Sequence, residues 1–109
     1  NVYDTANRLS QEIRSSEEYT KFKEAKQKID SNLELKKKID EFEKLRYDIQ
    51  VLAMQGKNVE EEKNKKLQEM YSILIEEKEI KEYFDLEVKF NVMLADVNKI
   101  IAESVKEVL

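Results

Sequence analysis

Residues 78–107 read KEIKEYFDLEVKFNVMLADVNKIIAESVKE, with neither glycine nor proline to interrupt them. At 1.5 Å per residue the segment predicts one helix of about 45 Å, whereas a compact globule of this size has a radius of gyration of only about 13 Å. On a helical wheel, Leu86, Phe90, Leu94, Val97, Ile101 and Val108 fall on one stripe, the ordinary core-facing side of an amphipathic helix. Phe84, Val88, Val92 and Ala95 form a second apolar strip well away from the first, and Asp85, Lys89, Asp96, Glu103 and Glu107 keep the remaining face polar. Two sides of this helix therefore call for burial.

An earlier segment, Leu33 to Gln55, repeats the pattern. Leu35, Ile39, Phe42, Ile49 and Ala53 make its main stripe, while Tyr47, Val51 and Met54 make a shorter one elsewhere. One antiparallel partner cannot cover both strips of either helix. The expected fold is all-α: an elongated helical bundle of about five helices in one domain, with two long antiparallel helices, oligomerising through helix packing. The extra strips can be covered by the chain's own first two helices or by a second copy. Burying side chains the size of Val or Phe is worth about 1.5–3 kcal/mol each, comparable with the whole stability of a domain once several are summed. Self-association, as a homodimer or higher oligomer, is the expectation. The candidate interface comprises Tyr47, Val51 and Met54 on one helix and Phe84, Val88, Phe90, Val92 and Ala95 on the other, with Tyr47, Phe84 and Phe90 as aromatic anchors.

The remaining punctuation is read from caps. Val2, Ala6, Leu9 and Ile13 define a first helix ending near Arg14. Ser15 with Glu18 fits a capping box that starts a second helix carrying Tyr19, Phe22, Ala25 and Ile29, and Ser31 with Glu34 repeats the signature before the third. Gly56, the only glycine, stands where a helix C-terminus needs a left-handed residue. Asn58 is placed to cap a fourth helix, with Glu60, Glu61 and Glu62 in its first turn and Lys65 and Lys66 further along, an order that suits the helix dipole. A short turn around Glu76 to Glu79 separates it from the last helix; a continuous helix from Val59 onward is the alternative.

Composition removes most enzyme chemistry. The 109 residues contain no cysteine, histidine, tryptophan or proline, so there is no disulfide frame, zinc finger, thiolate-held cluster or histidine-activated nucleophile. A di-iron bundle site lacks its histidines, and one glycine cannot build a phosphate loop. No cofactor or metal is expected. Twenty basic against twenty-four acidic residues give a net charge of −4, which offers no field for a polyanion and argues against direct nucleic-acid binding. Lys21, Lys23, Lys26 and Lys28 form a local basic cluster read as a solvated face, and Asn91 is read as a solvent-facing amide. No apolar run reaches the roughly 20 residues that cross a bilayer, and Asn1 to Ser10 lack the character of a secretory signal, so no membrane insertion and a cytoplasmic location are expected.

Val2-Tyr3-Asp4 with Ala6, Ser16-Glu17-Glu18-Tyr19, Met54-Gln55-Gly56-Lys57, Phe90-Asn91, Ala95-Asp96-Val97 and Ile100-Ile101 follow one another in an order that resembles the YlbF/YmcA family of small helical bacterial proteins. The similarity covers essentially the whole chain and is greatest to the short YheA-like branch. It implies an all-helical protein that associates as a dimer or larger, with itself and with other YlbF/YmcA-family proteins. It also implies a non-enzymatic regulator or adaptor, linked through the family to competence, sporulation, biofilm formation and messenger RNA processing by RNase Y. The iron–sulfur cluster of some relatives does not carry over, because this chain has no cysteine. The alternative reading is a small helical RNA- or ligand-binding module.

Overall fold

Ser16 sets the first corner of the chain. In the computed structural model, which describes residues 1–109, its Oγ accepts a hydrogen bond from the Tyr19 backbone N–H at 3.1 Å and its hydroxyl donates back to the Ile13 carbonyl. One side chain thus closes α1 (Val2–Ser15) and opens α2 (Glu17–Asp30). The cap lies one residue beyond the expected Ser15. The Ser15 hydroxyl instead donates to the Gln11 carbonyl at 2.9 Å, the back-bond of a residue still inside a helix. The second expected box is displaced in the same way. Ser31 donates to the Lys28 carbonyl and so belongs to the end of α2, while Asn32 Oδ1 accepts from the Leu35 N–H at 3.1 Å and opens α3 (Leu33–Met54).

Gly56 ends α3 as expected. Its φ is +72°, its N–H donates to the Ala53 carbonyl, and the Lys57 N–H reaches back to the Leu52 carbonyl at 3.0 Å. This pair of bonds is the Schellman closure. A Cβ at position 56 would meet nothing within 4 Å, so backbone angle alone selects glycine there. The fourth helix, α4 (Glu61–Leu74), begins later than expected: Glu60 is its N-cap without a side-chain bond, and Asn58 lies outside it. Glu61 and Glu62 do occupy its positive first turn. Ile75, Glu76 and Glu77 then form a turn whose N–H groups bond to the Tyr71, Ile73 and Leu74 carbonyls, and α5 (Lys78–Val105) follows as a separate helix. The five helices and the absence of strands match the all-α expectation.

The chain forms two compact units whose boundaries fall inside α2 and α5. One unit, residues 27–82, holds α3 and α4 as an antiparallel hairpin: the Phe42 and Tyr71 rings lie 6.2 Å apart, and Lys38 Nζ meets Glu77 Oε1 at 3.3 Å. Leu35, Ile39, Phe42 and Leu74 are buried there, as are Ile29 and the fully enclosed Ile80. The other unit, residues 1–26 with 83–109, pairs α2 with α5 through an aromatic cluster. Phe22 stacks within 5.4 Å of both Tyr83 and Phe90, and Tyr19 lies 6.1 Å from Phe90. In this unit α1 buries no residue at all.

Candidate interaction surface

The predicted interface residues divide between the two units. Tyr47, Val51 and Met54 belong to the α3–α4 hairpin, where Tyr47 and Met54 are well exposed and Val51 is half-buried. Phe84, Val88, Phe90, Val92 and Ala95 belong to the unit built on α2 and α5. Here the second apolar strip splits. Phe84 is only 4% exposed and lies 5.8 Å from the Tyr83 ring, so it is core within the chain and cannot anchor a partner. Phe90 is half-buried against Tyr19 and Phe22 and is likewise engaged internally. Val88 and Val92 remain 61% and 54% exposed, and Ala95 is exposed beside them.

Val88 and Val92 line a groove of about 550 Å³ between α2 and α5. Leu86, Met93, Val97 and Ile100 complete its apolar lining, with Glu17, Glu18 and Lys21 on the α2 side and Lys89 and Asp96 on α5. Met93 and Ile100 were not singled out by the wheel, although their seven-residue spacing places them on one line of the helix. Further along α5, Ile100 is 71% exposed and Ile101 more than half exposed. In the distal half of the predicted core stripe, Val97 is half-buried while Ile101 and Val108 are exposed in a single chain.

The charged rim is set by one local ion pair. Lys21 donates to Glu17 across one helical turn, and that hydrogen bond and charge hold the Glu17 carboxyl below its usual range, with Lys89 adding to the effect. The same bond raises the Lys21 ammonium above its ordinary value. Elsewhere in the basic cluster, Lys23 sits 5.9 Å above the Tyr19 ring. Asn91 is exposed, as read from the sequence. No group of three or more acids is placed to hold a metal ion, and no helix is long and apolar enough to cross a membrane.

Comparison with known proteins follows the same lines. The family described as control of competence regulator ComK, YlbF/YmcA, matches residues 2–106. Among similar relatives, a UPF0342 protein of Caldicellulosiruptor bescii is 34% identical over 106 residues, covering 97% of this chain and 89% of the relative. A UPF0342 protein of Staphylococcus epidermidis is 35% identical over 108 residues, covering 99% and 95%. A solved structure from Bacillus stearothermophilus, described as a protein of unknown function (DUF964), superposes with a TM-score of 0.85 over 97% of this chain and 93% of that one at 17% identity, a likeness of fold.

Proposed function

The chain belongs to the YlbF/YmcA family, and from that premise we propose that it is a non-enzymatic regulator that works in the cytoplasm through protein–protein contacts, beginning with contact to a second copy of itself. The observation that carries the reading is the exposed apolar lining of the α2–α5 groove, Val88 and Val92 above all. The finer role is regulation of competence, sporulation and biofilm formation through a complex that influences RNase Y-dependent messenger RNA processing.

Val88→Glu combined with Val92→Glu tests the reading. Light scattering after size exclusion should show wild type as a dimer or larger and the double variant as a monomer, with helical circular dichroism retained. Loss of the helical signal would place both residues in the monomer core and remove the argument. For the cellular role, a strain lacking the gene should lengthen the half-lives of RNase Y-dependent transcripts, wild type should restore them, and the double variant should not.

A small-ligand reading has one observation in its favour, since 550 Å³ lies within the range of small-molecule sites. The groove runs along α5 from Leu86 to Ile100 and carries charged residues on both walls, features that suit a helix better than a compact ligand.

A further inference from the structure

The exposed strip of α5 carries its own complement. Val88, Val92, Ala95 and Ala102 follow one another at intervals of four, three and seven residues, the spacing of a coiled-coil seam, and all four are exposed. The other side of the helix, with Tyr83 and Phe90, is turned to Phe22 of the same chain. Lys89 and Asp96 run along one edge of the seam, seven residues apart, and Asn91 and Asn98 repeat that interval along the other edge. These four polar residues are exposed as well. Within the chain Lys89 is the smallest of the influences on Glu17, and Asp96 is in no ion pair. The neighbouring charges are largely spent. Glu103, next on the Lys89–Asp96 line, is held by Lys106 at 3.0 Å, and across the groove Glu17 and Lys21 neutralise each other, leaving Glu18.

We propose that this seam pairs with the α5 seam of a second copy in the antiparallel direction, about a two-fold axis level with residues 93 and 94. The inference rests on the self-association reading and specifies the element, the direction and the register. Charge sets the direction. In a parallel two-fold pair every residue stands beside its own counterpart, so Lys89, Asp96 and the seam residue Lys99 would each face a like charge. Antiparallel pairing instead brings together edge positions that are seven residues apart. Lys89 of each copy then meets Asp96 of the other, and on the far edge the Asn91 amide meets Asn98. Each contact occurs twice. The apolar positions set the register: Val92 packs on Ala95 of the second copy, again twice, and the aliphatic stem of Lys99 lies over Val88 with its ammonium in water, within a turn of Asp85. The rim charges fix direction more than they add affinity, which comes from the apolar seam.

Charge reversal tests the pairing at exposed positions. Lys89→Asp and Asp96→Lys each turn both edge pairs into like charges, so either variant alone should self-associate about tenfold more weakly than wild type in sedimentation equilibrium, with helical circular dichroism unchanged. An equimolar mixture of the two should recover the wild-type affinity as a heterodimer, because each reversed charge then meets its opposite. The absence of cysteine makes introduced thiols a second probe. Val92→Cys and Ala95→Cys copies of distinguishable mass, mixed and treated with a short bis-maleimide, should give the mixed cross-link. Val88→Cys should not cross-link to itself, because the antiparallel register sets those two positions about 16 Å apart along the helix. A dimer that keeps its affinity in both charge variants, a mixture that stays dissociated, or a Val88→Cys chain that joins to itself overturns the antiparallel α5 pairing and leaves self-association standing. A wild-type chain that is monomeric throughout removes the self-association reading as well.

Discussion

The α3–α4 hairpin unit and the α2–α5 unit are drawn from the same kind of sequence, charged helices with apolar stripes, yet they complete their burial differently. The hairpin unit closes over Leu35, Ile39, Phe42, Leu74, Ile29 and Ile80. The α2–α5 unit closes over Ala25, Tyr83 and Phe84 and leaves α1 with no buried residue and Val88, Val92, Ile100 and Ile101 in water. An amphipathic stripe states a demand for burial without stating who meets it. Both units leave part of that demand unmet within one chain, the hairpin unit at Tyr47, Met54 and Ile73 and the α2–α5 unit at Val88, Val92, Ile100 and Ile101.

Core truncation should separate the two most strongly. Ile80 is completely enclosed, so Ile80→Ala is expected to cost about 2–5 kcal/mol in urea unfolding. The same truncation at exposed Val92 should leave the stability of a dissociated chain nearly unchanged while weakening self-association. Equal losses at both positions would erase the distinction. The caps come next. Gly56→Ala forces a left-handed backbone angle on a residue with a Cβ and should cost about 1–2 kcal/mol, although there is room for the methyl group. Ser16→Ala removes the acceptor for the Tyr19 N–H, with an expected cost of about 1 kcal/mol. An unchanged unfolding midpoint would mean that Ser16 does not set the corner between α1 and α2.

Titration gives the smallest effects. In the α2–α5 unit the depressed Glu17 carboxyl contributes stability that is present above its ordinary value of 4.5 and is lost as the pH falls through its lowered value. In the hairpin unit the Lys38 ammonium is raised chiefly by its hydrogen bond to Glu77, so its contribution is complete below 10.5 and disappears as the pH rises through the raised value. Glu17→Gln should flatten the acid limb of a stability–pH curve and, because its hydrogen bond raises Lys21, the alkaline limb as well, while Glu77→Gln should flatten the alkaline limb through Lys38. Both groups are solvent-exposed, so the changes should be slight and should shrink with added salt.

Much of this was legible in the residues. The spans of α3 and α5 and the Gly56 closure follow from periodicity and backbone chemistry, whereas the break before Lys78, which neither glycine nor proline marks, is decided against a continuous helix only by the structure. The caps at Ser16 and Asn32 were misplaced by one residue because adjacent Ser-Ser and Ser-Asn pairs offer two acceptors, and only the path of the backbone decides between them. The second strip of α5 was read in the right direction but over too great a length. Periodicity fixes where Phe84 and Val88 point around the helix, not how far along it neighbouring side chains reach, and Phe84 is covered while Val88 is not. Nothing local to α1 indicates that its stripe is covered only in part, with Leu9 and Ile13 half-buried and Val2 and Ala6 exposed, since that depends on what the rest of the unit leaves over.

Sedimentation equilibrium of the wild-type chain at micromolar concentration bears most directly on the claim that the α2–α5 unit is completed by a second copy. A molecular mass of twice the 13.0 kDa chain, falling to the single-chain value for Val88→Glu with Val92→Glu, is the predicted result. A wild-type chain that stays at 13.0 kDa across that range would contradict it.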